Sequence, residues 1–147
     1  MRSVKSFEEY IQTGVMKQVT INNERARSLS SESARKLGSL KESLEKIGIK
    51  KENANDYVED CYDILMYLLR AKLYQEGYSS SGMGAHEAEV SYLRILGFSE
   101  KEFYFMDQLR YFRNGILYYG IPLDSEYAEK VIEFTYNIYP KLKKIVR

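Results

Sequence analysis

Residues that cross-link, break or anchor a chain are scarce in this sequence of 147 residues. Its single cysteine, Cys61, excludes a disulfide within the chain. Only two prolines and nine glycines occur, and so few helix breakers favour long helices. The longest apolar run, 64–69, is far shorter than the roughly 20 residues that span a bilayer. Since no apolar signal-peptide segment is found either, we expect a soluble, cytoplasmic protein.

Neither sign of charge is in excess, because the net charge is +1. This value argues against strong non-specific binding to nucleic acid. The charges are nevertheless segregated, with a net charge of +5 over residues 1–51 and −7 over residues 52–107. Arg110 and Arg113 then form a small basic island without acids over residues 108–123. The basic and acidic sections are expected to pack side by side or to form solvated faces.

Apolar residues recur at steps of three and four, which predicts helices along most of the chain. The predicted helices cover about 6–13, 22–47, 52–76, 85–96, 100–119 and a last segment. Asn22, Ser99 and Asp124 are interpreted as N-caps, with Glu102 completing a capping box at Ser99. The third is apolar on two faces, which is typical of a central helix. No strand alternation is found, and residues 77–84 are interpreted as a loop. We therefore predict an all-α single domain over 1–147, an up-and-down bundle of four long helices with additional short helices, in which 1–20 form an N-terminal extension.

The fifth helix has two faces of different character. Its apolar stripe is predicted to comprise Phe105, Leu109, Phe112, Ile116 and Tyr119. These residues are expected to face the core of the bundle.

The second face of this helix gathers Arg110, Arg113 and Asn114. An arginine fork suits a phosphate or a carboxylate, which makes this face the candidate site. The carboxylate can also come from the chain itself, since Arg113 can pair with Asp60 or Asp63 of the third helix.

A second internal pairing concerns Arg110, which lies three residues after Asp107. The two side chains are expected to form a surface salt bridge that needs no functional explanation.

Arg113-Asn114 on the penultimate helix of a small bundle resembles the signature of the HEPN superfamily (higher eukaryotes and prokaryotes nucleotide-binding domains). Active members carry an arginine, a polar residue and then a histidine after four to six intervening positions. In this chain Tyr118, Tyr119 and Gly120 stand at those positions. Tyrosine, with a reference pKa of about 10, is a poor general base at neutral pH.

The resemblance implies a homodimer with the motif near its interface. It also implies a metal-independent ribonuclease, a nucleotide-binding protein or a partner of a nucleotidyltransferase in a toxin–antitoxin system. By the same resemblance, Arg113 holds a phosphate oxygen and Asn114 orients it. Tyr118 shares a face with Asn114 and can join this site or stack on a base.

His86 is the only histidine of the chain and stands at the predicted start of the fourth helix. It either supplies the missing imidazole, from another helix or from the partner subunit, or is an exposed or cap-region histidine with local hydrogen bonds. One histidine with Cys61 and scattered acids is no metal-site spacing, and no cofactor is expected. We therefore expect a nucleotide- or RNA-binding module with attenuated catalysis, the alternatives being a ribonuclease that recruits His86 and a plain protein-interaction module.

Overall fold

The computed structural model describes residues 3–147, which are mostly helical and also contain one small sheet. The elements in chain order are α1 (Phe7–Gln12), β1 (Met16–Gln18), α2 (Asn23–Lys46), α3 (Ala54–Glu76), β2 (Tyr78–Ser80), α4 (Ala85–Ile95), α5 (Glu100–Tyr119) and α6 (Ser125–Ile145). No helix in this part of the chain combines the length and the apolar character needed to cross a membrane.

The third helix, α3, is the centre of the fold. Helices α2, α4, α5 and α6 all pack against it. Both of its apolar faces are buried, as Ile64 and Leu65 illustrate with exposures of 0% and 1%. The prediction of a central helix with several neighbours is therefore confirmed.

Three predicted helix starts are also confirmed. The side chains of Asn22, Ser99 and Asp124 each accept a hydrogen bond from a backbone N–H in the first turn of α2, α5 and α6. The side chain of Glu102 in turn accepts a hydrogen bond from the backbone N–H of Ser99, which completes a capping box. Local polar signals were sufficient to place these helix ends.

The sheet corrects the prediction of a chain without strands. Strands β1 and β2 pair antiparallel, with Met16 opposite Ser80, so part of the segment 77–84 is a strand and not a loop. Strands of three residues are too short for an alternation of apolar and polar residues to be recognised. Beyond the paired residues, the N–H of Val19 donates to the carbonyl oxygen of Gly77 at 2.8 Å.

The predicted apolar stripe of α5 is correct only in part. Leu109 is buried, and Phe105, Phe112 and Ile116 are half-buried, but Tyr119 is 82% exposed. The buried residues of α5 lie at or before position 110, so its second half lacks the neighbours that a full-length stripe requires. Phe105 and Phe112 contact rings of α6, and from Leu117 to Tyr119 the helix is exposed to solvent.

Gly77 provides a test of the contact between α3 and the sheet. It has a φ of +81°, and a Cβ atom at this position would lie 2.9 Å from the carbonyl oxygen of Val19. Gly97 has a similar φ of +87° but nothing within 4 Å. We expect Gly97→Ala to lower the free energy of unfolding by about 1–2 kcal/mol, the cost of a left-handed backbone, and Gly77→Ala to lower it further.

Urea unfolding of the two variants measures the difference. Since the backbone conformations are matched, the excess loss in Gly77→Ala reports the close approach of Val19. Equal losses would show that Val19 moves away from the added methyl group without any further loss of stability.

Candidate functional site

The structure brings the single histidine together with the candidate face of α5. A groove of about 350 Å³ runs between the start of α4 and the second half of α5. Residues 82–87 form one wall, and Arg110, Asn114 and Tyr118 form the other. We call it the Asn114 groove. His86 of α4 lies in the first wall, so its imidazole lines the same groove as Asn114 and Tyr118 of α5.

Arg113 does not line this groove but turns toward α3. Its Nη2 lies 3.7 Å from Oδ1 of Asp63, and its guanidinium lies over the ring of Tyr62, 5.2 Å from the ring centre. The internal pairing with Asp63 is thus present, at a separation longer than a hydrogen bond. The Nε of Arg113 is buried and has no partner among the described residues.

Asp60 does not join the candidate site. It forms an ion pair with Lys36 of α2, with 3.5 Å between Nζ and Oδ1, and the same ammonium lies 4.0 Å from Asp63. Two carboxylates one turn apart on α3 therefore share Lys36, and Asp63 also pairs with Arg113. Asp60 helps to fasten α2, and Asp63 connects α2 with α5.

The expected surface salt bridge of Arg110 is buried instead. Its Nε donates to Oδ1 of Asp107 at 2.8 Å, and the two side chains are only 7% and 4% exposed. Glu87 of α4 adds a second carboxylate at 3.8 Å. The spacing on α5 predicted the pair, but the helix that covers it is distant in sequence, so its burial was missed. The charge of Arg110 fixes α5 to α4 and is not free for an external anion.

Sequence reasoning missed a second ion pair beside His86. Nε of Arg70 on α3 donates to Oε2 of Glu89 on α4 at 2.7 Å. The other oxygen, Oε1 of Glu89, is buried and has no partner among the described residues, and the same holds for the hydroxyl of Tyr62. Each buried polar atom left without a partner costs about 1–3 kcal/mol. Arg70, which directly follows the apolar run 64–69 of α3, was the signal that could have revealed this cluster.

Charge balance limits what this junction can bind. Among the described residues, the ion pairs where α3, α4 and α5 meet join three arginines with four acids, namely Arg70, Arg110, Arg113, Asp63, Glu87, Glu89 and Asp107. Every guanidinium in this set has a carboxylate of the same chain within 4 Å. The junction therefore does not act as a strong trap for polyanions, and recognition has to come from hydrogen bonds and stacking.

His86 is well suited to such recognition because it stays neutral. Burial lowers the pKa of His86, the nearby Glu89 opposes this shift, and the arginines around it reinforce it. A neutral imidazole offers one hydrogen-bond donor and one acceptor.

Cys61 is excluded as a nucleophile by its burial. It lies inside the core, and burial raises the pKa of its thiol to about 12. The thiolate, which is the reactive form, is thus absent near neutral pH. Within residues 3–147 no group of three potential ligands is placed to hold a metal ion.

The end of α5 presents a continuous exposed surface, which we call the tyrosine face. It comprises Tyr111, Tyr118, Tyr119 and Ile121, which are between 48% and 82% exposed and line one shared cavity. Apolar surface of this extent outside a core is typical of a contact surface.

Gly115 belongs to this region but does not open it to a partner backbone. A Cβ atom there would lie 3.3 Å from Cδ1 of Ile121. The glycine thus makes room for the segment that follows α5 in the same chain.

Comparison of the chain with protein-family models, with curated proteins and with solved structures finds no match. The HEPN resemblance therefore stays a prediction from the Arg113-Asn114 pair.

The lowered pKa of His86 has a consequence for stability. Because the folded state binds its proton less readily than the unfolded chain, the unfolded chain holds more protons below about pH 6.5. The free energy of unfolding should therefore fall as the pH drops below this value. His86→Gln removes the titrating group, so we expect the difference between wild type and variant to change below pH 6.5 and to stay constant above it.

Urea unfolding of both proteins between about pH 5 and pH 8 measures this difference, with the reference pKa of histidine inside the range. Carboxylates titrate in both proteins, so their contribution cancels in the difference between the two free energies of unfolding. A difference that does not change with pH would mean that His86 is as solvated as in the unfolded chain.

Proposed function

We propose that this chain is a cytoplasmic, HEPN-like module that binds a nucleotide or the end of an RNA chain in the Asn114 groove, without full catalytic equipment. In this proposal α2, α3, α5 and α6 form an up-and-down four-helix bundle. The observation that carries it is the convergence of His86, Asn114 and Tyr118 on one groove from two separate helices.

The chemistry of the walls suits a nucleobase better than a phosphate. The Asn114 amide supplies donors and an acceptor, and neutral His86 supplies one of each. Both can read the edge of an unstacked base. Tyr118, 72% exposed, offers a ring on which that base can stack.

A phosphate has a weaker but compatible place in the same groove. The first turn of α4 forms one wall. Its N-cap is Gly84, which has no side chain that could accept a hydrogen bond from the N–H groups of that turn. Helix N-termini favour anions through their backbone N–H groups. One phosphate beside a bound base is consistent with this arrangement, whereas a long phosphate track is not.

The tyrosine face supports a second element of the proposal, a homodimer. Tyr118 lies on this face and in the groove, so a second copy or a nucleotidyltransferase partner seated there would close the groove from outside. Aromatic residues are enriched at such contacts.

Calorimetry with ATP and with a short RNA of adenosine and uridine tests the binding proposal. We expect wild type to bind at least one of them. Tyr118→Ala should weaken binding about 5- to 150-fold, the range for a lost stacking contact, and Asn114→Ala should also weaken it.

Tyr104→Ala is the matched control for this experiment. Tyr104 lies on the same helix and is 59% exposed, but it does not line the groove. Light scattering on the same variants reports whether Tyr118 also holds a dimer together. Absence of binding to both ligands, or equal weakening by Tyr104→Ala and Tyr118→Ala, would refute the proposal.

One observation favours a metal-independent ribonuclease as a second candidate. His86 is a neutral base in a groove that suits RNA, and a positioned general base contributes about 10²- to 10⁴-fold to a rate. If the chain is a ribonuclease, it cleaves RNA in the presence of a chelator and His86→Gln loses activity by that factor. Lys17→Gln, an exposed change outside the groove, purified in parallel controls for contaminating nucleases. Equal activity in the two variants would exclude His86 as the base.

A further inference from the structure

A second cavity, of about 290 Å³, lies where the start of α2 meets the end of α3, β2 and the start of α4. We call it the Arg25 pocket, because Arg25 is the residue that α2 contributes to its wall. It shares Ala85 and His86 with the Asn114 groove, and its other lining residues are different. Its volume is at the small end of the range for ligand pockets, which suits a compact ligand.

The side chains that line the Arg25 pocket carry a net charge of +1. Arg70 and Glu89 both line it, and their ion pair, with 2.7 Å between Nε and Oε2, is neutral as a whole. Burial lowers the pKa of His86, which keeps its imidazole neutral near neutral pH. Arg25 therefore supplies the one uncompensated charge, and the pocket is complementary to a ligand with a single negative charge.

The guanidinium of Arg25 has a defined position in this wall. It lies 5.0 Å from the ring centre of Tyr74, which also lines the pocket. None of the ion pairs within residues 3–147 involves Arg25, and a tyrosine ring attracts a cation without neutralising it. A guanidinium fork matches both carboxylate and phosphate, but a phosphate monoester carries about −1.5 to −2 charges at pH 7. One uncompensated arginine balances a carboxylate better.

The aromatic part of the wall suits a flat ring. Tyr74 of α3 and Tyr78 of β2 are half-buried, and both line the pocket together with the buried Leu73. Phe7 packs edge-on against Tyr78, with 5.1 Å between the ring centres, and so restrains this ring. Aromatic rings gain stability from offset or edge-to-face contacts with one another. The body of the ligand is therefore expected to be aromatic.

We propose that the Arg25 pocket binds an aromatic monocarboxylate. The carboxylate accepts hydrogen bonds from the guanidinium of Arg25, and the ring packs against Tyr74 and Tyr78. This site is separate from the Asn114 groove and does not depend on the function proposed for that groove.

NMR titration of the isotope-labelled protein with benzoate, benzamide and inorganic phosphate tests the proposal. Benzamide keeps the ring of benzoate but lacks its charge, and phosphate lacks the ring. We expect benzoate to bind about tenfold more tightly than benzamide, the lower end of the range for a hydrogen bond between charged groups. Phosphate should bind more weakly than benzoate. Benzoate should shift the amide signals of residues 78–80, which line the pocket.

Arg25→Ala should lower the affinity for benzoate to that for benzamide and leave the affinity for benzamide unchanged. The variant keeps the start of α2, since residue 25 contacts the N-cap Asn22 through its backbone N–H. Arg27→Ala is the matched control, because Arg27 is an exposed arginine of α2 that lines a different cavity. It should bind benzoate like wild type.

Any of four results would overturn the proposal: no benzoate binding by the folded wild type, equal affinities for benzoate and benzamide, tighter binding of phosphate than of benzoate, or equal effects of Arg25→Ala and Arg27→Ala. Tyr118→Ala separates the pocket from the Asn114 groove, which Tyr118 lines. Unchanged benzoate affinity in this variant supports the Arg25 pocket. Loss of that affinity places benzoate in the Asn114 groove and overturns the assignment.

Discussion

The structure depends on the burial of most of α3 among the helices that pack against it. A helix enclosed by four others can carry polar groups only where a neighbour compensates them. Asp63 and Arg70 are such groups, and their partners lie on α5 and α4. Arg110 extends the same network between α5 and α4. The relative placement of the helices around the candidate site is thus tied to a set of internal ion pairs.

These ion pairs change the role that we assign to Arg110 and Arg113. In the sequence, Arg110 and Arg113 are an island of positive charge, and such an island suggests an anion-binding site. In the structure each guanidinium is held by an acid of the same chain, so their role is chiefly to position α5. What α5 then offers to a ligand is the neutral part of the same face, Asn114 and Tyr118, beside His86.

The parts of the fold that were predictable are those with local causes. The caps at Asn22 and Ser99 and the two apolar faces of α3 follow from residues within one or two turns. The burial of Arg110 and the exposure of Tyr119 follow from which helix lies opposite, and that depends on contacts distant in sequence. The strands escaped prediction because their pairing joins two segments of three residues about 60 positions apart.

In the candidate site, too, some features could be predicted from local sequence and others depend on distant contacts. His86 shows both. Its position at a helix start was readable from the sequence, but its place in the wall of two cavities depends on how α4 packs against α3 and α5. Burial and the nearby arginines keep the pKa of its imidazole below the usual value, so it carries a single N–H. A neutral imidazole donates through one ring nitrogen and accepts through the other, so a hydrogen bond from a bound ligand to His86 would fix its tautomer.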